Sequence, residues 1–461
     1  MSGKAKFGSK IGLVVATVGS AVGLGNVWRF PSEVQSNGGA AFLLVYIACV
    51  FLLGIPVMLA EFSLGRGGNS DAVGAFKNLT PTKKWWLVGV LGVIASYLIL
   101  SFYMVVAGWT LEYFWQSLTG NLFVGINENS NATMDSAFVA RMNDMIASSW
   151  NPLIWTSIMI VLNLIVLLKG VQKGIEKMSN ILMPLLFVLL IIFCGISLSL
   201  PNAKEGVDFF LNPDFSKINS DMLISALGQA FFSLSLGMGI LITYSAYYPH
   251  DTKLGRTAIM VSMLDFFVAF IMGLIIFPAV KTFGLDADPA GLKGVTLVFV
   301  TLPEVFMQMP GSQIWSTLFF LLLSVAAITS TISLSEVSIS LMQDRFKMSR
   351  RGACFLVILP LFVFSAVCSL SQGPLSFIRI GGLNIFDFLD TFATNILLPI
   401  SSILLCIYVG WILPHDFMKQ ELNNHGTMKS YSFPIVLFIV RFLAPILIGA
   451  ILVYKLIEIL G

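Results

Sequence analysis

Gly19-Ser20-Ala21-Val22-Gly23-Leu24-Gly25-Asn26-Val27-Trp28-Arg29-Phe30-Pro31 lies in the middle of the first long apolar segment of the chain. A helix in lipid must satisfy its own backbone, and non-helical backbone at that depth is tolerated only against protein or a water-filled cavity. Three glycines and an asparagine between positions 19 and 26 mark such an interruption. A helix opened here leaves carbonyls near Gly19 to Val22 without partners, as ligands for a cation. The half-helix that follows presents amide N–H groups.

The surrounding composition is that of an integral membrane protein: of 461 residues, 57% are hydrophobic and 11% charged, with mean hydropathy +0.88. The net charge of +3 forms no cluster of the kind that binds nucleic acid. Cys49, Cys194, Cys354, Cys368 and Cys406 fall inside apolar runs without metal-ligand or paired extracellular spacing, and read as buried thiols. Met1 to Lys10 is short and basic with no cleavage site after the first apolar run, which reads as a retained first helix and no signal peptide.

A membrane-spanning helix needs about 20 apolar residues, and eleven runs qualify. They are Ile11–Asn37, Ala40–Leu64, Trp85–Trp115, Pro152–Leu168, Met178–Leu200, Leu223–Tyr248, Thr257–Phe283, Ile314–Met342, Ala353–Leu370, Phe386–Leu413 and Phe433–Leu460. One set of connections carries Lys4, Lys6, Lys10, Arg66, Lys77, Lys83, Lys84, Lys169, Lys173, Lys177, Lys253, Arg256, Arg345, Lys347, Arg350, Arg351, Lys419 and Lys429. The other carries Arg141, Lys204, Lys217, Lys281, Lys293 and Arg379. Cytoplasmic loops are the basic ones, so the N-terminus is expected in the cytoplasm and, with an odd count, the C-terminus outside. The long outer loop near Lys281–Gln313, with Leu302-Pro303-Glu304-Val305-Phe306, is expected to fold as short helices on the outer face. Asn78-Leu79-Thr80 and Asn131-Ala132-Thr133 match glycosylation sequons, a pattern that recurs by chance.

A second break sits in the sixth run, at Phe232-Ser233-Leu234-Ser235-Leu236-Gly237-Met238-Gly239. Interrupted helices at corresponding places in two halves point to a transporter site at the membrane midplane, whereas glycines that serve only close packing need no such correspondence. The expected fold is all-α, with an inverted repeat of five plus five helices and helices one and six unwound. The divisions are a cytoplasmic segment 1–10, repeats 11–200 and 201–413, and a loop with the eleventh helix at 414–461.

Taken together, Gly19–Pro31, Asn37-Gly38-Gly39-Ala40-Ala41-Phe42, Gly54-Ile55-Pro56 with Glu61, Gly174 with Pro184, Gln229–Gly239 and Ala326-Ala327-Ile328-Thr329-Ser330 give the chain its likeness. It resembles the neurotransmitter:sodium symporter family along essentially its whole length. Eleven helices and no cysteine pair in the second outer loop look like the bacterial branch that carries hydrophobic amino acids.

The resemblance implies two Na+ sites. One has Ala21, Asn26, Ser233 and Asp265, completed by the substrate carboxylate; the other has Gly19, Val22, Ala326, Thr329 and Ser330. Asp265 lies in an apolar run where an ionisable group is costly and marks an ion pathway, the alternative being a pairing with Lys253 or Arg256. Many members have Asn there and need chloride, so a carboxylate implies transport without it. The implied substrate pocket is Ser20, Ala21, Gly23, Ile99, Tyr103, Phe232, Ser233, Ser235, Met238, Ser330 and Leu334. Members that carry monoamines have Asp where this chain has Gly23, and Gly leaves room for a carboxylate. Tyr103 would donate to that carboxylate and Phe232 would cover it. The outer gate is implied to be Arg29 with Asp387. The inner gate is Asp344, for which this chain offers Lys4 in place of the usual Arg, and Phe7 in place of a Trp. Gly174 and Pro184 bracket a stretch of helix five expected to unwind and hydrate the second Na+ site.

The function implied is a sodium-coupled symporter that imports hydrophobic or neutral amino acids by alternating access across the plasma membrane. It would use two Na+ per substrate and would be neither an enzyme nor a nucleic-acid binder. A channel would need a continuous pore with repeated ligand rings, and no hydrolase motif is present. An amino-acid sensor with the same fold that does not transport is the alternative.

Overall fold

The long apolar runs become helices because a backbone in lipid has no other partner than itself. The computed structural model describes residues 7–126, 134–284 and 294–460. Lys4, Lys6, Lys293 and the sequon at Asn131 lie outside the described residues. Among those described, nine unbroken helices are long and apolar enough to cross a membrane. They are Ala40–Gly68, Trp86–Leu118, Asn151–Leu168, Val171–Leu198, Leu254–Phe283, Ser312–Phe346, Arg350–Ser371, Ile385–Ile412 and Phe433–Ile457. A tenth crossing is the first segment, whose halves Lys10–Ala21 and Gly25–Ser36 are bent by 53°. The sixth expected span is Ser220–Ser233 and Ile240–Ser245, parted by residues 234–239. Neither piece is long enough to qualify, so length and apolarity support ten crossings where eleven were expected. Several helices run past the expected ends, as Val171–Leu198 does, because polar turns continue winding beyond the apolar stretch.

Both breaks have a visible local cause. In the first segment Val22 is extended (φ −69°, ψ 115°) and its amide still bonds Val18 O, after which the chain re-enters a helix through a π turn at Gly25–Arg29. In the sixth, Ser235, Gly237 and Gly239 all have positive φ, at 55°, 77° and 73°. A Cβ on Gly237 would also collide with Ser402 Oγ and come within 2.9 Å of Leu398 O. The break is thus written in glycine because the backbone passes directly against the tenth span.

Small residues elsewhere let spans approach. Side-chain atoms on Gly108 would meet the Thr156 amide at 2.7 Å, so the third and fourth spans touch backbone to backbone there. The outer loop forms a buried apolar helix at Leu297–Met307, as expected, with Phe299 against Tyr113 (centroids 4.9 Å) and Phe306 against Phe319 (5.3 Å). An antiparallel hairpin of Arg379–Ile380 with Leu383–Asn384 leads into the tenth span. All five cysteines are unpaired, and all but the partly exposed Cys49 are buried.

Candidate substrate and ion site

The two breaks face each other at the centre of the molecule. Ser235 Oγ donates to Ser20 O at 2.8 Å, and Gln229 Nε2 donates to Gly25 O at 3.2 Å. Across the sixth break, the Gly237 amide donates to the buried Glu61 carboxylate at 2.7 Å. Carbonyls and amides released by the breaks are therefore met by side chains of neighbouring segments, as buried backbone groups require.

Beside this junction lies a carboxylate with no exposed surface, Asp265. Its Oδ1 accepts from Asn26 Nδ2 at 2.8 Å, and its Oδ2 accepts from Ser233 Oγ at 2.7 Å and, more distantly, from Tyr46 OH at 3.5 Å. Asn26 Nδ2 also reaches Ser233 Oγ at 3.1 Å, and Asn26 Oδ1 accepts the Gly23 amide at 3.1 Å. The pairing of Asp265 with Lys253 or Arg256 does not form. A buried carboxylate surrounded by neutral donors holds a negative potential that no protein cation offsets. Amide, hydroxyl and carboxylate oxygens are the donor set of a hard cation.

The second cluster is close by. Ser330 Oγ donates to Val22 O at 3.3 Å, and a Cβ on Gly19 would lie 3.5 Å from Thr329 Cβ, so the first and eighth spans touch at these residues. Thr329 Oγ1 bonds back to its own helix at Ala326 O (2.9 Å) and Val325 O (3.3 Å). Gly19, Val22, Ala326, Thr329 and Ser330 are thus brought to one place.

A cavity adjoins both clusters. Ser20, Ala21, Gly23, Ile99, Tyr103, Phe232, Ser235, Met238, Ser330 and Leu334 line it as expected, while Ser233 faces Asp265 instead. Gly25 and Ile240 also line it and were not anticipated. The signal for Gly25 was present in the first break: a Cβ there would stand 2.9 Å from the Phe232 ring. Gly23 is equally constrained, with a Cβ 2.5 Å from Ser330 Oγ and 2.9 Å from Tyr103 OH. Tyr103 OH accepts the Leu24 amide at 3.0 Å, pinning the start of the second half of the first span. Phe232 also lines a second cavity of about 610 Å³, together with Arg29 and Glu33. The Arg29 guanidinium covers the Phe232 ring at 4.6 Å, so these two side chains form the wall between the chambers.

The implied outer-gate pair is not made in this conformation. Arg29 does not pair with Asp387; its nearest carboxylate is Glu33 on its own helix, at 3.9 Å. Asp387 is exposed and occupied with Asn384, which caps the tenth span: the Asp387 amide donates to Asn384 Oδ1 (2.9 Å) and Asn384 Nδ2 to Asp387 Oδ2 (2.7 Å). Asp390, almost a full helical turn further on, is near enough to feel the Arg29 charge but makes no ion pair with it.

At the opposite face, Asp344 Oδ2 accepts the Asp71 amide at 2.9 Å, and Asp71 in turn caps Ala72–Leu79 through Val73 and Gly74. Phe7 is buried among Tyr244, Tyr247 and Tyr248 with centroids 5.9–6.3 Å away. Two further ties were not anticipated. Glu176 accepts from the Gly8 amide (2.7 Å), the Ser9 amide (3.1 Å) and Ser9 Oγ (2.8 Å). Buried Glu336 pairs with Arg350 at 2.6 Å and accepts from Tyr247 OH at 2.8 Å. Glu336 was discoverable, being an ionisable residue within an apolar span. Gly174 lies in a π turn, Val171–Glu176, and Pro184 within the helix that follows. In this conformation that stretch is wound, not opened.

Many crossings, two of them broken where they meet, and a carboxylate-bearing cluster beside an internal cavity define a secondary transporter rather than an enzyme. The chain belongs to the sodium:neurotransmitter symporter family, whose model matches residues 4–150 and 127–460. It is 34% identical to YhdH of Bacillus subtilis, an uncharacterized sodium-dependent transporter, over 96% of each chain. It is likewise 34% identical to an uncharacterized sodium-dependent transporter of Haemophilus influenzae, over 97% of each. Among solved structures, MhsT in complex with L-phenylalanine superposes with a TM-score of 0.88 at 40% identity, covering 98% of this chain and 100% of that one. The chain is therefore a sodium-dependent, multi-pass membrane transporter with the expected inverted-repeat fold.

Proposed function

We propose that this protein imports hydrophobic, neutral amino acids across the plasma membrane, coupled to two Na+ ions and independent of chloride, with its N-terminus in the cytoplasm. The observation that carries the reading is the Asn26–Ser233–Asp265 cluster at the edge of the cavity between the breaks. The first Na+ would sit among these three oxygens and the Ala21 carbonyl, with the Asn26 amide turned to offer its oxygen. The second would sit among Gly19, Val22, Ala326, Thr329 and Ser330. The cavity that adjoins both clusters is the candidate substrate pocket. Its one end, at Gly23 and Tyr103, suits a carboxylate; Ile99, Met238, Ile240 and Leu334 suit an apolar side chain, and Met adapts to several sizes. The L-phenylalanine in MhsT agrees with that chemistry. Each Na+ entering down 100 mV contributes about 2.3 kcal/mol before its concentration gradient.

The test is uptake by purified protein in liposomes with an inward Na+ gradient and a panel of labelled amino acids. Accumulation of Phe, Leu, Ile or Met that persists when chloride is replaced by gluconate is the expected result. Uptake that vanishes in gluconate overturns chloride independence, and binding without accumulation favours a sensor.

A further inference from the structure

The last span, Phe433–Ile457, carries an arginine two turns from its start, Arg441. An arginine at a helix centre costs about 2.5–3.5 kcal/mol on insertion scales, and such residues face protein, water or the headgroup layer. Among the described residues Arg441 has no carboxylate partner. Its Nε donates to the Gly410 carbonyl at 2.5 Å, its guanidinium lies 5.7 Å from the Trp411 ring centroid, and Trp411 Nε1 donates to Arg441 O at 3.1 Å. These contacts engage one of five guanidinium N–H groups. The four on the Nη edge have no protein acceptor among the described residues, on a side chain that is only half-buried.

The backbone is adapted to this contact. Both helices carry a π turn where they touch, Tyr408–Ile412 and Ile439–Leu443, and π turns within α-helices mark functional sites more often than chance. Gly410 lets the arginine stem cross, since a Cβ there would stand 2.8 Å from Arg441 Cγ. Packing accounts for the stem and for Nε. It leaves open the Nη edge, half of the fork that binds planar oxyanions such as phosphate.

The surroundings are those of a membrane interface. Trp411 is 55% exposed at the end of its span, where amphipathic aromatic residues gather. Exposed Lys83 and Lys84 precede Trp85, whose ring lies 5.4 Å from Tyr408 and so adds positive charge to the same end of the tenth span. Phe438, just before the arginine, and Phe442 and Ile446 beyond it are exposed, and so form an apolar strip along the last span.

We propose that Arg441, backed by Gly410 and Trp411, binds the phosphate of an anionic phospholipid in the leaflet that meets residues 413–432. The phosphate oxygens accept from the Nη groups, and the acyl chains lie along the exposed side chains of the last span. Phospholipid is favoured over a soluble phosphate by that apolar continuation, and net negative over zwitterionic headgroups by the neighbouring lysines. Naming the leaflet as cytoplasmic rests on the orientation proposed above; the site itself does not.

Native mass spectrometry of the full chain in detergent, titrated with phosphatidylglycerol or phosphatidylcholine, tests this without reference to transport. The wild type is expected to retain phosphatidylglycerol in preference. Arg441→Gln should lower that retention about fivefold, the effect of about 1 kcal/mol per cation at an anionic surface, and Arg441→Lys should fall between. Independently of any variant at 441, brominated phosphatidylglycerol should quench a fluorescence component that Trp411→Phe removes. Equal retention by wild type and R441Q, or equal affinity for both lipids, overturns the proposal. So does displacement of the lipid by millimolar inorganic phosphate, which would make the site one for a soluble anion. A dimer that R441Q dissociates while lipid retention is unchanged would reassign the arginine to an interface between copies.

Discussion

Asp265 has no exposed surface, and its protein partners are an amide, a hydroxyl and a distant phenol. On the proposed reading its charge is compensated by the first Na+, so neutralising it should disable cation binding before it disables folding. Asp265→Asn is expected to weaken Na+ by about 10- to 100-fold, the 1.5–3 kcal/mol of an interaction with a charged group. Any residual uptake should become chloride-sensitive. A Na+ titration of binding and uptake in liposomes checks both, and Asn26→Ala should abolish Na+-driven uptake altogether. These residues were legible because polar side chains in an apolar run are expensive and so announce themselves. The partner of Arg29 was not. Asp387 and Asp390 are both acids at the start of one span, yet Asp387 is held by the Asn384 cap and the carboxylate within ion-pair reach of Arg29 is Glu33 on its own helix.

The breaks are the elements that sequence disclosed best, since glycine clusters have few other reasons to occur in lipid-spanning helices. Gly237 is held at φ 77° with Ser402 against it. Gly237→Ala should thus destabilise the protein by about 1–2 kcal/mol from the backbone alone, read as a lower thermal midpoint in detergent, and impair substrate binding with it. The ties that join elements were less visible: Glu176 meets Gly8 across 168 positions, and nothing local to either residue implies the other. The short helix Ala72–Leu79 allows a pH test. Burial, and the Asp344 carboxylate beside it, lift the Asp71 carboxyl above its ordinary 3.8 despite the amides it caps. With the folded value raised, its contribution to stability is complete below 3.8 and is lost as pH rises through the folded value. Asp71→Asn keeps a capping side chain and removes the charge, so its thermal midpoint should exceed that of wild type near neutral pH and converge with it in acid.

At the scale of the molecule, one buried ion pair joins the second span to the segment after the tenth. Arg66 Nε meets Glu421 at 2.6 Å, its Nη1 donates to Thr252 O (2.7 Å) and Asn424 Oδ1 (3.1 Å), and its Nη2 donates to Glu421 O. Removing one partner strands a buried charge, so Arg66→Ala should destabilise the fold by about 3–5 kcal/mol, measurable by thermal melting. This clamp, 355 positions apart in sequence, was invisible before folding. Alternating access, as proposed above, requires that some junctions hold while others separate, and if the first and sixth segments part, Ser235 is where their contact breaks. It is a serine in a left-handed conformation, φ 55°, secured by its bond to Ser20 O on the opposite break. Such a conformation costs about 1–2 kcal/mol, which the residue would recover if its backbone returned to the right-handed region once that bond let go. The junction between the first and sixth segments would then act as a cocked spring: parting them would be partly repaid by recoil at a single residue.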